Sequence, residues 1–140
     1  MRLVRDVLEE KSRPVQWIEP LASVYEALEK MNEENIGSLL VQIEGYIVGI
    51  LSERDYVRRV ILDQRASRKT KVSEVMTRDV VTVTRDDSVM HCIQLMKEHG
   101  FRHLPVVEAG KPLGILSLRD LFVDVIECAT RQQPEIVHSA

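Results

Sequence analysis

Aromatic residues are scarce in this chain, and several features that mark special classes of protein are few or missing. Phe, Trp and Tyr make up only 4% of its residues, so a folded core must be aliphatic. Two cysteines, Cys92 and Cys128, are too few and too irregularly placed for a disulfide framework or a CxxC redox motif. The longest apolar stretches have about the length of a strand, which argues against a membrane-spanning helix.

A strong charge of either sign is also missing. The formal net charge is -3 and the isoelectric point is about 5.8, so nothing attracts the chain generally to a nucleic-acid backbone or an anionic membrane. The N-terminal residues Met1–Asp6 are charged and lack the apolar core of a signal peptide. We therefore expect a cytoplasmic protein that does not bind membranes and for which nucleic-acid binding is disfavoured.

The composition that remains is that of a globular protein. Hydrophobic residues are 44% and charged residues 29% of the chain, which excludes disordered and collagen-like proteins. With 140 residues the chain can form one compact domain or two interlocked half-domains. A chain of this length buries roughly 68 to 70% of its unfolded surface, so it needs no disulfide.

An internal repeat with a period of 65 residues organises the chain. When residues 14–62 are placed over 79–127 without a gap, 16 of 49 positions are identical. The densest match pairs Gly49–Asp55 with Gly114–Asp120, where both copies read Gly-Ile-Leu-Ser-x-Arg-Asp. The protein is therefore a tandem duplication.

The segments before these copies also match, but at a different offset. Val4–Leu8 resembles Val72–Met76 at an offset of 68, so the first copy carries three extra loop residues near Lys11–Pro14. We place the first repeat, with its basic connector, at 1–68 and the second repeat at 69–140. The tail at 132–140 is expected to be frayed or to depend on a partner.

Each copy has the same predicted order of secondary structure. Ser23–Glu26 begins a helix as a capping box, and Gly100 ends the corresponding helix of the second copy. Short apolar runs on both sides of Glu44–Gly45 and Ala109–Gly110 predict hairpins. The predicted elements are extended stretches at Val15–Ile18 and Val80–Thr84, helices at Val24–Met31 and Val89–Met96, hairpins at Leu39–Leu51 and Leu104–Leu116, and closing helices that bury Tyr56, Val57, Val60 and Ile61 or Leu121, Phe122, Val125 and Ile126.

The predicted unit is β-α-β-β-α, and the predicted fold class is α/β in the broad sense (α+β). Neither copy can easily bury a sheet face and two apolar helix stripes alone. We therefore expect two pseudo-twofold-related β-α-β-β-α repeats packed through their sheets.

The duplicated unit resembles the CBS domain, and the whole chain resembles a stand-alone CBS pair, or Bateman module. The residues that carry the resemblance are the two Gly-apolar-apolar-Ser-x-x-Asp motifs and the segment Arg102–Val107. The resemblance implies a cleft between the repeats for adenosine-bearing ligands such as AMP, ADP, ATP, NAD or S-adenosylmethionine. It also implies a homodimer, because CBS pairs resemble half-discs that complete a disc.

The Ser-x-x-Asp motif has a chemistry that suits such a ligand. A Ser that ends a strand and begins a helix presents its hydroxyl and the first backbone N–H groups, which favour a phosphate. The Asp can accept both hydroxyls of a ribose diol, the preceding Arg adds a cation, and the Gly permits a close approach of the backbone. The ligand-binding candidates are Ser52, Arg54 and Asp55 in the first copy and Ser117, Arg119 and Asp120 in the second, with Gly49 and Gly114 beside them.

The same motif also fits an ordinary capping box. In that interpretation the Ser satisfies helix N–H groups and the Asp interacts favourably with the helix dipole. Capping does not require the preceding Gly, the adjacent Arg, or the repetition at equivalent places. Both roles can coexist in the same residues.

A second set of candidates lies at the entry to the second strand of each repeat. The resemblance assigns a phosphate contact to Arg102 and His103, although a solvated strand end can carry the same residues. Gly37 and Ser38 are the ligand-binding candidates at the matching positions of the first copy, and because they depart from this pattern we do not expect equal binding in the two clefts. The remaining candidates here are Pro105, together with Ile36 and Leu104, which can pack on an adenine face or simply fill the core.

No catalytic residue, no metal site and no required cofactor are predicted, because the sequence has no Walker loop, no Gly-x-Ser-x-Gly elbow and no HExxH motif. The predicted function is a regulatory module that binds AMP, ADP, ATP or NAD and transmits its ligand state to an unidentified effector protein. The alternative is a dimerisation or partner-binding module that works without ligand, which would include a regulator of a redox enzyme.

Overall fold

The computed structural model describes residues 1–132, and residues 133–140 lie outside the described part. Most of the predicted frayed tail therefore falls outside the description. The described chain divides into two compact units. The first-repeat unit contains Pro14–Val81 and the hairpin tip Glu108–Leu113, and the second-repeat unit contains Met1–Arg13, Thr82–Val107 and the chain from Gly114.

Helices and strands follow one another in an order that is nearly the same in both repeats. The elements are α1 (Val4–Lys11), β1 (Trp17–Ile18), α2 (Val24–Glu34), β2 (Ser38–Ile43), β3 (Tyr46–Ser52), α3 (Glu53–Tyr56), a π-helical turn (Val57–Ile61), α4 (Val72–Val75), α5 (Val89–His99), β4 (His103–Glu108), β5 (Lys111–Ser117), a 3-10 turn (Arg119–Leu121) and α6 (Phe122–Gln132).

A three-stranded sheet in the order β1-β2-β3 forms the centre of the first-repeat unit. Strand β1 runs parallel to β2, and β2 runs antiparallel to β3. Glu44 and Gly45 connect β2 to β3 with φ angles of 51° and 83°, and two successive positive φ values are typical of a type I′ turn. The predicted hairpin is confirmed.

The second-repeat unit has the same plan with a smaller sheet. Strands β4 and β5 form a two-stranded sheet. Val83 makes a single parallel bridge to Val106, at the place where the first-repeat unit has β1. The predicted extended stretch Val80–Thr84 is therefore reduced to one bridge.

The two long amphipathic helices begin after a serine and end at a left-handed residue, as predicted at Ser23 and Gly100. Ser23 Oγ accepts the Glu26 N–H at 3.1 Å at the start of α2, and Ser88 caps α5 in the same way. The helices end at Asn35 and Gly100, whose φ angles of 54° and 71° lie in the left-handed region. The buried apolar positions are Val24, Ala27 and Met31 in α2 and Val89, Cys92 and Met96 in α5.

Helix α1 belongs to the second-repeat unit, although it opens the first sequence repeat. Its Val4 and Val7 are buried, and the Val4 N–H donates to the Asp87 carbonyl at 2.9 Å. Helix α4 takes the corresponding place in the first-repeat unit, with Val72 and Val75 buried. Each unit therefore contains the helix that precedes the other unit's repeat in the sequence: α1 lies in the second-repeat unit and α4 in the first-repeat unit. The predicted boundary between residues 68 and 69 concerns the sequence repeats and stays a prediction.

The closing helices bury less than their sequence pattern predicts. Val60 and Leu121 are buried as expected. The prediction is wrong for four other apolar residues of these helices, because one side of each helix is left uncovered by the described chain. These residues are Val57 (46% exposed), Ile61 (51%), Phe122 (62%) and Ile126 (51%).

Candidate functional site

Ser52 and Asp55 hold each other at the beginning of α3 in the first-repeat unit. The Asp55 N–H donates to Ser52 Oγ at 3.2 Å, and the Ser52 N–H donates to Asp55 Oδ2 at 3.0 Å. The Ser52 hydroxyl lies 3.1 Å from the same carboxylate oxygen. These bonds form a reciprocal capping box, so the capping role is confirmed for the first copy.

Thr77 contacts the other oxygen of this carboxylate. Its Oγ1 donates a hydrogen bond to Asp55 Oδ1 at 3.2 Å. The backbone of Thr77 is fixed by two hydrogen bonds with Ile50 in β3, at 3.0 and 2.9 Å. Because a hydroxyl and a backbone amide carry no formal charge, these contacts orient the carboxylate without neutralising it.

The entry to β2 lies beside the same turn. The Glu53 N–H donates to the Gly37 carbonyl at 3.0 Å, and Ser38 is the partner of Ser52 in the pairing of β2 with β3. Ser38 is buried, whereas Ile36 and Gly37 are half-buried. The structure therefore brings the predicted strand-entry residues of the first copy next to its Ser-x-x-Asp motif.

Ser117 and Asp120 repeat the arrangement in the second-repeat unit. The Asp120 N–H donates to Ser117 Oγ at 3.2 Å, and the Ser117 N–H donates to Asp120 Oδ2 at 2.7 Å. Both residues are half-buried at the end of β5. The capping role is therefore confirmed in both copies.

Lys11 makes the second carboxylate different from the first. Its Nζ lies 2.9 Å from Asp120 Oδ2 and donates to the Ile115 carbonyl at 2.5 Å. Burial acts to raise the pKa of Asp120. The hydrogen bond and charge of Lys11, together with the bonds from Ser117, outweigh burial and hold that pKa below its ordinary value.

The entry to β4 carries the predicted cations. The Leu118 N–H donates to the Arg102 carbonyl at 2.8 Å, which ties this strand entry to the turn after β5. Arg102 is exposed and His103 is half-buried. Leu104 and Pro105 are buried within the strand, so they contribute to the core of their unit.

One further cation stands next to each carboxylate in the sequence. Arg54 and Arg119 directly precede the two aspartates, and both side chains are exposed. A guanidinium can bind a phosphate with two parallel hydrogen bonds, so both residues suit a phosphate-bearing ligand. The first copy has Gly37 where the second has Arg102, so only the second copy has a cation at this position of the strand entry.

The motif glycines pack against side chains of the protein. A Cβ atom on Gly49 would lie 2.6 Å from Met76 Sδ, and one on Gly114 would lie 2.9 Å from Leu8 Cδ2. The sequence interpretation linked both glycines to a ligand. At both glycines the close approach is therefore made by side chains of the same unit.

Sequence reasoning missed the two residues that contact the carboxylates from outside the motif, Lys11 and Thr77. Both follow the matched segments Val4–Leu8 and Val72–Met76, which was the signal that could have found them. Lys11 was expected in an extra loop, but it is the last residue of α1. A cation in the last turn of a helix also interacts favourably with the helix dipole.

Metal and thiol chemistry find little support in the described residues. Within 1–132, no group of three or more His, Cys, Asp or Glu side chains could hold a metal ion. Burial, with a smaller contribution from Asp87, raises the pKa of Cys92 to about 11, which disfavours its thiolate at neutral pH. No helix of the same range is long and apolar enough to cross a membrane.

A family model of the CBS domain matches the chain twice, at residues 4–62 and 72–127. The chain belongs to the CBS domain family. The two matches contain both Ser-x-x-Asp motifs and both strand entries, so the resemblance inferred from those residues is confirmed.

Known CBS domain proteins resemble this chain over most of its length. The mitochondrial CBS domain-containing protein CBSX3 of Arabidopsis thaliana is 33% identical in an alignment of 132 residues; the match covers 88% of this chain and 64% of that protein. The chain thus spans less than two thirds of that relative.

Solved structures give the same family and fold. The crystal structure of the CBS domain protein NE2398 superposes with a TM-score of 0.84 at 42% identity, covering 89% of this chain and 98% of that one. The CBS domain pair of protein MJ0100, in complex with 5′-methylthioadenosine and S-adenosyl-L-methionine, superposes with a TM-score of 0.77 at 28% identity. That match covers 86% of this chain and 93% of the MJ0100 domain pair in that structure. The α+β fold class and the CBS pair are therefore confirmed.

Proposed function

We propose that this CBS pair is a regulatory module that binds an adenosine-containing nucleotide and passes its ligand state to a partner protein. The observation that carries the proposal is one arrangement built twice. Asp55 and Asp120 are each fixed at the end of a strand by a Ser, and each follows an Arg. The ligand class we propose is AMP, ADP, ATP, NAD or S-adenosylmethionine, bound by the predicted site residues of both copies.

Each carboxylate keeps acceptor capacity beyond its capping bonds. An ionised carboxylate has two oxygens and about four lone-pair positions. Asp55 Oδ1 accepts a bond from Thr77, and within the described chain Asp120 Oδ1 accepts none. A ribose hydroxyl can therefore bind beside the capping bonds, which is how both roles can coexist in one residue.

The similarity to MJ0100 supports this ligand class. Both molecules bound in that structure contain an adenosine with a ribose diol and differ in what the 5′ carbon carries. A carboxylate that accepts hydrogen bonds from both ribose hydroxyls would suit this adenosine part, which the two ligands share. The exposed Arg102, Arg119 and half-buried His103 favour a phosphate at the 5′ position, which supports AMP or a larger nucleotide for this chain.

Regulation requires that the ligand prefer one arrangement of the protein, because only a difference in affinity shifts an equilibrium. The exposed apolar side of α6, with Phe122, Val123 and Ile126, offers a surface through which a homodimer or an effector can respond. This surface is also the observation that favours the alternative, a dimerisation or partner-binding module without ligand. We propose no catalytic role for the chain.

We also propose that the protein is located in the cytoplasm. The Arabidopsis relative is named mitochondrial, so the test must compare the cytoplasm with mitochondria. Fractionation of cells that express the full-length protein, with markers for both compartments, would test the location.

The decisive experiment is a calorimetric titration of the protein with AMP, ADP, ATP, NAD and S-adenosylmethionine, supported by thermal melting. A ligand present at 100 times its Kd stabilises by about 2.7 kcal/mol, which raises Tm by roughly 5 to 10 °C for a chain of this size. The matched control is 2′-deoxy-AMP, which lacks one hydroxyl of the diol. We expect it to bind more weakly than AMP. Absence of heat and of any Tm shift across the panel would favour the ligand-independent alternative.

A further inference from the structure

Lys11 ties the end of α1 to the second candidate site. Its ammonium bridges two acceptors of the same turn, Asp120 Oδ2 at 2.9 Å and the Ile115 carbonyl at 2.5 Å. The side chains of Lys11 and Asp120 are only 25% and 20% exposed. Partial burial weakens the screening of this ion pair by water and salt, so the ammonium is held at the carboxylate.

The first candidate site has a neutral group in the corresponding role. There, the Thr77 hydroxyl contacts Asp55 Oδ1 at 3.2 Å. A hydroxyl can orient a carboxylate but does not cancel its charge. The two copies, which share the Ser-x-x-Asp motif, thus differ by one full positive charge at the carboxylate itself.

The strand entries differ in the same direction, because the second copy has Arg102 where the first has Gly37. Cations also occur in the first copy, where Arg54 precedes Asp55 and the Arg59 guanidinium donates to the Val75 and Met76 carbonyls. Lys11, by contrast, contacts the carboxylate of its own copy directly. A negatively charged ligand group is therefore favoured more beside Asp120 than beside Asp55.

The ammonium of Lys11 also has donor capacity left. It has three N–H donors, of which the structure shows two in use, toward Asp120 and Ile115. A phosphate oxygen of a bound ligand can accept the third. Since the ammonium is already held in place, little side-chain freedom is lost when the ligand binds.

We propose that Lys11 is a specificity-determining residue, which makes the second site select adenosine ligands that carry a phosphate. The first site, with Thr77 in the corresponding place, takes the adenosine part without selecting for phosphate. This inference rests on the proposed function, since it assigns a ligand preference to one of the two sites proposed above. It adds a residue from the end of α1, outside the repeated motif.

The test compares AMP with adenosine by calorimetry in the parent protein and in Lys11→Met. We expect Lys11→Met to lower the AMP-to-adenosine affinity ratio of one binding event about tenfold or more, because a charge-assisted hydrogen bond to the phosphate is lost. A residue that only supported the fold would weaken both ligands alike and leave the ratio unchanged. Lys11→Arg, which keeps the charge, should preserve most of the ratio.

Two controls make the outcome decisive. Thr77→Val removes the corresponding contact of the first site, and we expect it to leave the AMP-to-adenosine ratio of both binding events unchanged. Lys11→Gln keeps a donor to Asp120 without the charge, and it serves as the test variant if circular dichroism shows that Lys11→Met is unfolded.

The failure of this inference can be told apart from the failure of the proposed function. If AMP and adenosine bind but the ratio is the same in the parent, Lys11→Met and Lys11→Gln, Lys11 does not determine specificity and the proposed function stands. If no adenosine ligand binds the parent protein, the proposed function is wrong and this inference falls with it.

Discussion

A methyl group added to Gly49 would lie 2.6 Å from the Sδ atom of Met76, so strand β3 packs against the end of α4 at a distance that only glycine permits. The added carbon would also lie 3.0 Å from the carbonyl oxygen of Thr77. This carbonyl belongs to the backbone and accepts the Ile50 N–H, so it cannot move away without loss of that bond. The motif glycine of the first copy is therefore fixed by the packing of its own unit.

We expect Gly49→Ala to destabilise the protein by about 1 to 3 kcal/mol, the usual cost of inserting a carbon into a well-packed site. Gly114→Ala is the matched control. The nearest neighbour of its added carbon is Leu8 Cδ2 at 2.9 Å, the far end of a flexible side chain that can turn away. Urea unfolding of both variants measures the difference. Equal losses would contradict the distinction drawn between a backbone and a side-chain neighbour.

The two glycines also show which features the sequence could predict. Both stand in the same Gly-Ile-Leu-Ser-x-Arg-Asp block, so the sequence treats them alike, although one meets a backbone and the other a side chain. Turns and caps were predicted correctly because they depend on residues a few positions apart, as at Glu44–Gly45 and Gly100. Such features are local and follow from backbone preferences.

Contacts over long sequence distances were beyond prediction. Thr77 is 22 residues from Asp55, and Lys11 is 109 residues from Asp120. The pairing of α1 with the second repeat follows from how the helix packs, and no residue spacing within the first repeat encodes it. The exposed Phe122 illustrates the same limit: periodicity identified an apolar helix side, but it could not say what covers that side.

A second prediction separates ribose binding from capping. If the carboxylates hold the ribose, Asp55→Ala and Asp120→Ala should each weaken one AMP-binding event about tenfold or more, because a hydrogen bond to a charged group contributes about 1.5 to 3 kcal/mol. The matched controls are Ser52→Ala and Ser117→Ala, which remove a capping acceptor but keep the carboxylate. They should lower stability by about 0.5 to 2 kcal/mol with a smaller effect on affinity. Calorimetry and urea unfolding of the four variants measure both quantities.

The second copy should be the more sensitive to these changes. Asp120→Ala, and Arg102→Ala as its companion variant, should lower the affinity for AMP more than Asp55→Ala does. The reason is that the second copy has both the diol acceptor and the strand-entry cation. Greater damage from Asp55→Ala would overturn this ranking only. Unchanged affinity in both aspartate variants would remove the ribose assignment altogether.

A third prediction concerns acid stability. Burial raises the pKa of Asp120, but the hydrogen bonds and charge of Lys11 and Ser117 bring it below the ordinary value of 3.8. A carboxyl group with a lowered pKa in the folded state stabilises fully above its ordinary pKa, and the contribution is lost as the pH falls through the folded value. Asp120→Asn should therefore be less stable than the parent at pH 7, and the gap should close in the acid range below the ordinary pKa.

Denaturant unfolding of the parent and of Asp120→Asn, in steps from pH 7 to pH 2, measures this gap. Asp63→Asn, at an exposed position, controls for the removal of one negative charge. A gap that stays constant over the whole pH range would show that the ionised form of Asp120 contributes nothing to stability.

The last prediction concerns the uncovered side of α6. Phe122, Val123 and Ile126 are 62%, 66% and 51% exposed, and three large exposed apolar residues together on one helix are typical of a surface that binds another protein. A second copy of the chain is the simplest partner, because a twofold contact joins the same surface on both molecules. We expect light scattering to report about twice the chain mass of 16.1 kDa for the parent protein.

Phe122→Glu should shift the mass toward the monomer, since the contact would bury a charge without a partner. Leu21→Glu, at an apolar residue that is 73% exposed outside these helices, should leave the dimer intact. A monomer at all concentrations from micromolar to millimolar would contradict the homodimer. A dimer in both the parent and Phe122→Glu would show that the dimer contact lies away from this helix.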